Sequence, residues 1–322
     1  MIQGLLCAIG AGLLWGLVFV TPLWLSDYPA MLLSFARYTA FGLIAMLLAW
    51  FSRESLRQLK PKDWWVASQL SLVGNIIYYC GIAAAVQMSG APLTSAIIGT
   101  LPVVIAVTAN LSLRGNKNYV PFAKILPALT LLLVGLVLVN LEELSLIKST
   151  ALDPNRYWRG IAFACLALIA WTWYPLRNSR WLRANPQTSS SAWATAQGLT
   201  TLPLALFGLI GFWIWLKYSQ SGQTNYPNFD FPFGPKPQLF IGLMLLLGFA
   251  ASWLGTVLWN RASQLLPPSL AGQLIVFETL AALGYAFLIR GSIPALSTTA
   301  GIALLIAGVV LGVRAFQHTN DN

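Results

Sequence analysis

Charge is what this sequence has least of. Only 9% of its 322 residues are Asp, Glu, Lys or Arg, while 57% are hydrophobic, and a soluble chain of this length needs far more polar surface. A soluble enzyme or binding domain is thereby excluded, and an all-α integral membrane protein is expected. Histidine occurs once, as His318 in the C-terminal tail, which excludes HExxH and other His-based metal centres. The cysteines Cys7, Cys80 and Cys165 all fall in apolar runs without CxxC spacing. That rules out loop disulfides and thiol metal sites, and leaves small buried hydrophobes as their reading. Among the nine acidic residues a single one, Glu278, lies deep in an apolar run. Without a second intramembrane carboxylate there is no acid–base pair and no Mg²⁺ site, and no P-loop is present. No cofactor or metal is expected, and transport stands ahead of enzymatic chemistry.

The net charge of +10 is spread through short segments between apolar runs, with no basic domain that could dock on nucleic acid. Ten such runs approach the roughly 20 residues that a helix needs to cross hydrocarbon. They cover 2–24, 30–51, 64–86, 91–113, 120–141, 158–178, 189–216, 238–260, 267–289 and 293–313. The stretch from Trp64 to Leu113 carries no charge at all and is divided at Gly90-Ala91-Pro92, where Gly and Pro mark a turn. The start lacks a basic n-region and a cleavage site, so it reads as a retained first span rather than a signal peptide. With the N-terminus inside, eleven lysines and arginines fall on the cytoplasmic side and six on the other. The positive-inside rule then places both termini in the cytoplasm and the loops 142–157 and 217–237 outside. The lipid bilayer is the expected surrounding, and the oligomeric state is not specified.

A repeat runs through both halves. A slide of 176 residues puts Ala91-Pro92 on Pro267-Pro268 and Leu113-Arg114-Gly115 on Ile289-Arg290-Gly291. Slides of 173, 156 and 160 put Gly135 on Gly308, Trp15 on Trp171 and Arg37 on Gln197. Two units of five spans each must enter the membrane from opposite sides, so the expected architecture is ten transmembrane helices in two inverted five-helix repeats. Residues 1–141 form the first repeat, 142–157 an external linker and 158–322 the second repeat with a short cytoplasmic tail. Such repeats place a substrate site at their interface near the midplane.

Polar and aromatic residues point to that site. The third span carries Ser68, Ser71, Asn75, Tyr78 and Tyr79 at spacings of three and four, a stripe that must face protein or water. Asn75, Tyr78 and Tyr79 are read as lining a cavity, though serines and asparagines also hydrogen-bond between packed helices. On the fourth span Ser95, Gly99, Ala106 and Asn110 read as a packing face, and Pro102 as a bend beside the cavity; Pro175 is a second bend candidate. Of fourteen tryptophans, Trp24, Trp50, Trp64, Trp65, Trp158, Trp181, Trp213, Trp215 and Trp259 sit near span ends as interfacial anchors. Trp15, Trp171, Trp173, Trp193 and Trp253 sit deeper. Of these, Trp15, Trp171 and Trp253 are candidates to surround a solute, by stacking or through cation–π contact. Arg37 can meet a carboxylate, a helix C-terminus or Glu278. Glu278 is either a structural partner or a proton-responsive, amine-binding group, since an unpaired charge at the bilayer centre costs at least about 2.5–3.5 kcal/mol. Asn75 and Gln273 complete the polar candidates for a zwitterionic solute.

Trp15-Gly16 in the first span, Arg37, Pro102, Glu278-Thr279, Gly135 and Gly308 in this ten-span plan resemble the drug/metabolite transporter superfamily. Within it the chain is similar to the EamA-type exporters over nearly its full length, and most like the aromatic amino-acid exporter branch. It departs where the family often has a Gly-Glu pair after the fourth and ninth spans. Here Arg114-Gly115 and Arg290-Gly291 stand there, and Thr279 stands in place of a Pro. The resemblance implies a carrier in the bacterial inner membrane that exports aromatic and other neutral amino acids by alternating access. The competing expectations are a multidrug exporter of lipophilic cations and a lipid- or sugar-handling membrane enzyme.

Overall fold

The computed structural model describes residues 1–114, 119–141, 154–218, 229–291 and 293–320. Most of the expected external linker (142–153), the middle of the second loop (219–228) and Gly115 of the Arg-Gly pair lie outside these, as does the side chain of His318. Among the described residues ten helices are long and apolar enough to cross a membrane, and no strand occurs. They are α1 (Ile2–Trp24), α2 (Ala30–Ala49), α3 (Pro61–Ser89), α4 in two pieces (α4a, Ala91–Gly99; α4b, Leu101–Ser112) and α5 (Phe122–Val139). There follow α6 (Pro154–Ala184), α7 (Ser190–Tyr218), α8 (Pro237–Leu265), α9 in two pieces (α9a, Pro268–Leu274; α9b, Val276–Arg290) and α10 (Leu296–Asn320). A short amphipathic helix, Arg53–Arg57, bridges α2 and α3.

Several boundaries differ from the hydropathy runs because capping chemistry, not apolarity, ends a helix. Helix α3 begins at Pro61, three residues ahead of the apolar run; Pro occupies N1, and the Asp63 carboxylate accepts the Lys60 N–H at 2.9 Å. Helix α6 runs on to Ala184 because Arg177, Arg180 and Arg183 are good helix formers despite their charge. Outward-facing side chains such as Leu6, Leu47, Ile169 and Phe207 are apolar and exposed, as contact with hydrocarbon requires.

Packing follows small residues. Gly4, Ala8, Gly12 and Gly16 repeat every fourth position along α1, and a Cβ on Gly12 or Gly16 would stand 2.7 Å from Phe277 Cβ or 2.6 Å from Ala281 Cβ. Only glycine lets α1 approach α9b this closely. Helices α5 and α10 meet the same way, with Gly135 and Gly301 each facing the other's carbonyl oxygen. The main pairings are α2 with α7, α4b with α9a, α5 with α10, α1 with α8 and α6 with α3, together with α1 against α9b and, less extensively, α6 against α4. Exchanging α1–α5 for α6–α10 maps this set onto itself.

Local irregularities are paired in the same way. Helix α3 widens into a π-helix over Ser71–Ile77 and α8 over Gly248–Leu254. Helix α4 breaks at Thr100 and α9 at Ile275. The break in α4 precedes Pro102, which has no N–H to give the fourth carbonyl behind it. In α9 the only proline within the helix is Pro268 in its first turn, away from the break, and the Ile275 and Glu278 N–H groups bond three residues back, to Gly272 and Ile275, a 3₁₀-like tightening. Pro175, the other bend candidate, lies inside α6, which continues through it.

Candidate functional site

A cavity of about 360 Å³ lies between α1, α2, α3, α6, α8 and the first turn of α9b. It reaches Thr21 near the end of α1, Ala30 at the start of α2 and Gln87 near the end of α3. These three ends lie on one face of the bundle, opposite Met1. Ten crossings return the chain to the face on which it began, so the cavity opens on the side away from both termini.

Seven of the sequence candidates come together in it: Trp15, Arg37, Asn75, Tyr78, Tyr79, Trp171 and Glu278. The Trp171 indole stacks on Tyr78 on one side (centroids 4.7 Å, planes at 20°) and on Tyr174 on the other (5.0 Å, 2°). Trp15 meets Trp171 edge-on at 5.9 Å. Tyr79 stands edge-on to both Tyr78 and Tyr38, at 5.6 and 5.5 Å. The π-turn in α8 orients Trp15. The Gly255 N–H turns to the carbonyls of Ala250 and Ser252, bypassing that of Ala251, which accepts the Trp15 indole N–H at 3.0 Å. A side chain at Gly255 would collide with the indole, since its Cβ would stand 2.8 Å from Nε1.

Arg37 is the cation of this cavity. Its side chain is 6% exposed, with the guanidinium carbon 4.4 Å from the ring centroids of both Tyr38 and Tyr79. The Nε has no hydrogen-bond partner among the described residues. Of the three partners open to Arg37, Glu278 is not engaged, since neither residue takes part in the one ion pair found among the described residues, Lys236–Asp27. Glu278 sits half-buried in the first turn of α9b, where the positive end of the helix dipole favours a carboxylate. Asn75 is partly committed, because its amide donates to Thr201 Oγ1 at 3.0 Å, and Thr201 in turn bonds Ser71 Oγ at 2.9 Å and Gln197 O at 2.7 Å.

Other candidates lie elsewhere. Trp253 is turned away from the cavity lining, its indole donating to Thr195 Oγ1 at 3.0 Å and its ring stacked on Phe249. Gln273 is fully buried, with Gly312 of α10 accommodating its side chain and both amide atoms unpartnered among the described residues. Pro102 is buried behind the break in α4 rather than lining the cavity. Trp181 and Trp259 are core residues, not interfacial anchors. Trp181 stacks on Trp193 with centroids 3.4 Å apart and donates to Asp63, while Trp259 packs on Trp15 at 5.4 Å. Cys165 is exposed and Cys7 and Cys80 are half-buried. Tyr38, Tyr174, Ser34, Ser252 and Thr256 also line the cavity. Tyr174 was signalled by its i+3 spacing from Trp171, and Tyr38 by its place beside an intramembrane arginine; the small hydroxyls carried no signal distinguishing them from packing serines and threonines.

The cavity thus brings together an arginine over two tyrosine rings, a carboxyl group at a helix start and an indole stacked on tyrosines. Comparison with known proteins supplies the family. The family model for the EamA-like transporter family matches residues 2–141. The Inner membrane protein YtfF of Escherichia coli (strain K12) is 49% identical over 315 residues, covering 98% of this chain and 96% of that protein. A crystal structure of a protein that is 18% identical superposes with a TM-score of 0.70 over 99% of both chains, which bears on the fold alone. With half its residues shared end to end with YtfF, and its first five helices matching the family model, this chain belongs to the EamA-like transporter family.

Proposed function

We propose that this transporter exports aromatic and other neutral amino acids across the bacterial inner membrane by alternating access. The observation that carries the reading is Arg37, which presents a guanidinium to an aromatic-walled cavity that also holds Glu278. Arg37 meets the solute carboxylate, for which its planar fork is suited. Glu278 takes the ammonium, and the Tyr78–Trp171–Tyr174 stack provides the faces on which an aromatic side chain lies. The cavity volume falls within the roughly 300–1,000 Å³ usual for small-molecule sites. The competing reading, a lipophilic-cation exporter, is disfavoured because Arg37 puts a permanent positive charge in the cavity.

The likeness to YtfF, an inner membrane protein, supports the inner-membrane location, and the excess of basic residues on the terminus side supports cytoplasmic termini. The exchangeable helix pairings and the matched π-turns and breaks support two inverted units, 1–141 and 158–322. The test is counterflow with purified, reconstituted protein over labelled amino acids, cationic dyes and nucleotide sugars. Exchange of phenylalanine or tryptophan is expected; exchange of dyes alone would overturn the substrate assignment.

A further inference from the structure

The cavity runs toward the face away from the termini, and toward the terminus face the bundle is filled by a chain of buried polar side chains. From the cavity wall, the Tyr174 hydroxyl donates to Gln197 Oε1 at 2.9 Å. Gln197 approaches Asn178, which also accepts the Trp193 indole at 2.8 Å and donates to Asn260 Oδ1 at 2.8 Å. Nearer the terminus face, the Ser190 hydroxyl donates to Gln264 Oε1 at 3.1 Å. Asn178, Trp193 and Asn260 have no exposed surface and Gln197 is 2% exposed.

These residues occupy particular places in the two-fold pattern. The registers that put Trp15 on Trp171, Arg37 on Gln197 and the π-turn at Ser71 on that at Gly248 also carry the wall of the open mouth onto the seal. Val18 falls on Tyr174, Ile82 on Trp259, Ala83 on Asn260, Val86 on Ser263 and Gln87 on Gln264, and the first of each pair lines the open cavity. A second observation is independent of the symmetry. The indole N–H of Trp259 and the hydroxyls of Ser263 and Ser179 are buried without a hydrogen-bond partner among the described residues. In a permanently dry interior each would be a standing cost to the fold.

We propose that Gln197, Trp259, Asn260, Ser263 and Gln264 line the second half of the solute path, the half that opens to the face carrying the termini. The seal is the closed form of that mouth, and the unpartnered groups are ones that meet water or solute when it opens. The proposal rests on the transport reading above and adds the residues that handle the solute on its other side. Trp259, Asn260 and Ser263 place a hydrogen-bonding indole, amide and hydroxyl where the open mouth has Ile82, Ala83 and Val86.

The test is thiol accessibility in a background with Cys7, Cys80 and Cys165 replaced by serine. Ser34→Cys marks the open cavity; Ser263→Cys and Gln264→Cys mark the sealed half. A membrane-impermeant thiol reagent is applied to sealed vesicles of each orientation with saturating phenylalanine. Labelling of Ser34→Cys from one face and of Ser263→Cys or Gln264→Cys from the opposite face is expected. Absence of labelling at both sealed-half cysteines from either face, or labelling from the same face as Ser34→Cys, would overturn the proposal. In a second measurement a short bifunctional thiol reagent bridges a Ser190→Cys/Gln264→Cys pair. Counterflow is expected to fall at least tenfold and to recover on reduction; undiminished exchange by the bridged protein would likewise overturn it. Opposite-face labelling without amino-acid counterflow would sink the substrate reading and leave the path standing.

Discussion

A guanidinium within a membrane bundle is tolerated only where other groups offset its loss of water. At Arg37 the faces of Tyr38 and Tyr79 do so, each 4.4 Å from the guanidinium carbon. On the proposed reading this stacking also orients the fork toward the solute carboxylate, which lysine cannot reproduce. Arg37→Lys is therefore expected to raise the half-saturating phenylalanine concentration in counterflow by roughly tenfold or more, the loss of about 1.5–3 kcal/mol associated with a charged hydrogen bond. Glu278→Gln separates the two ends of the solute. It is expected to weaken exchange of phenylalanine while leaving β-phenylpropionate, which lacks the ammonium, unchanged as a competitor; equal effects on both would remove Glu278 from the amine site. Away from the cavity, Asp63 both accepts the Lys60 N–H and receives the Trp181 indole at 3.0 Å. Asp63→Ala is expected to cost about 1–3 kcal/mol through the lost cap and the orphaned indole, read as a lowered thermal midpoint in detergent.

At the scale of the element, the π-turns give α3 and α8 their functional shape. In α3 the Tyr78 N–H reaches back to Val73 and Asn75, and Gly74 within the turn lies under Tyr174. A Cβ there would stand 2.3 Å from the Tyr174 ring. Gly74→Ala is expected to displace Tyr174 and the Trp171 stacked on it, destabilising the protein by about 1–3 kcal/mol and suppressing counterflow. Gly211→Ala, where nothing lies within 4 Å, is the matched control and should leave both unchanged. The ten helices were legible in the sequence because apolar length alone marks a span. The π-turns were not, since Ser71–Ile77 and Gly248–Leu254 share no residue signature beyond small side chains. The break in α4 could be traced to Pro102. Its partner in α9 could not, because Ile275 sits in an unbroken apolar run. Trp181 and Trp259 were misread for a related reason, since nearness to a span end places a tryptophan in depth but not in direction.

At the scale of the molecule, two halves of different chemistry share one pattern of packing. Gly135 against Gly301 and Gly12 against Phe277 bring helices from the two halves to within backbone contact, so movement of one half relative to the other would repack these faces. The repeat in the sequence is consistent with the helix pairings but carries no sign of which half is closed. That depends on side chains such as Asn178 and Gln197, whose partners are far away in sequence. The cavity drew seven of its lining residues from those marked in advance because intramembrane charges and aromatic stripes are rare enough to stand out. Ser34 and Thr256 could not be separated from ordinary packing hydroxyls. The cavity holds one guanidinium and one carboxyl group among aromatic rings, and on the proposed reading each part can be tested by a ligand that lacks it. Equilibrium binding of phenylalanine, β-phenylpropionate and phenethylamine to the purified protein tests this most directly. Phenylalanine is expected to bind at least tenfold tighter than either fragment; phenethylamine binding as tightly as phenylalanine would contradict a carboxylate site at Arg37.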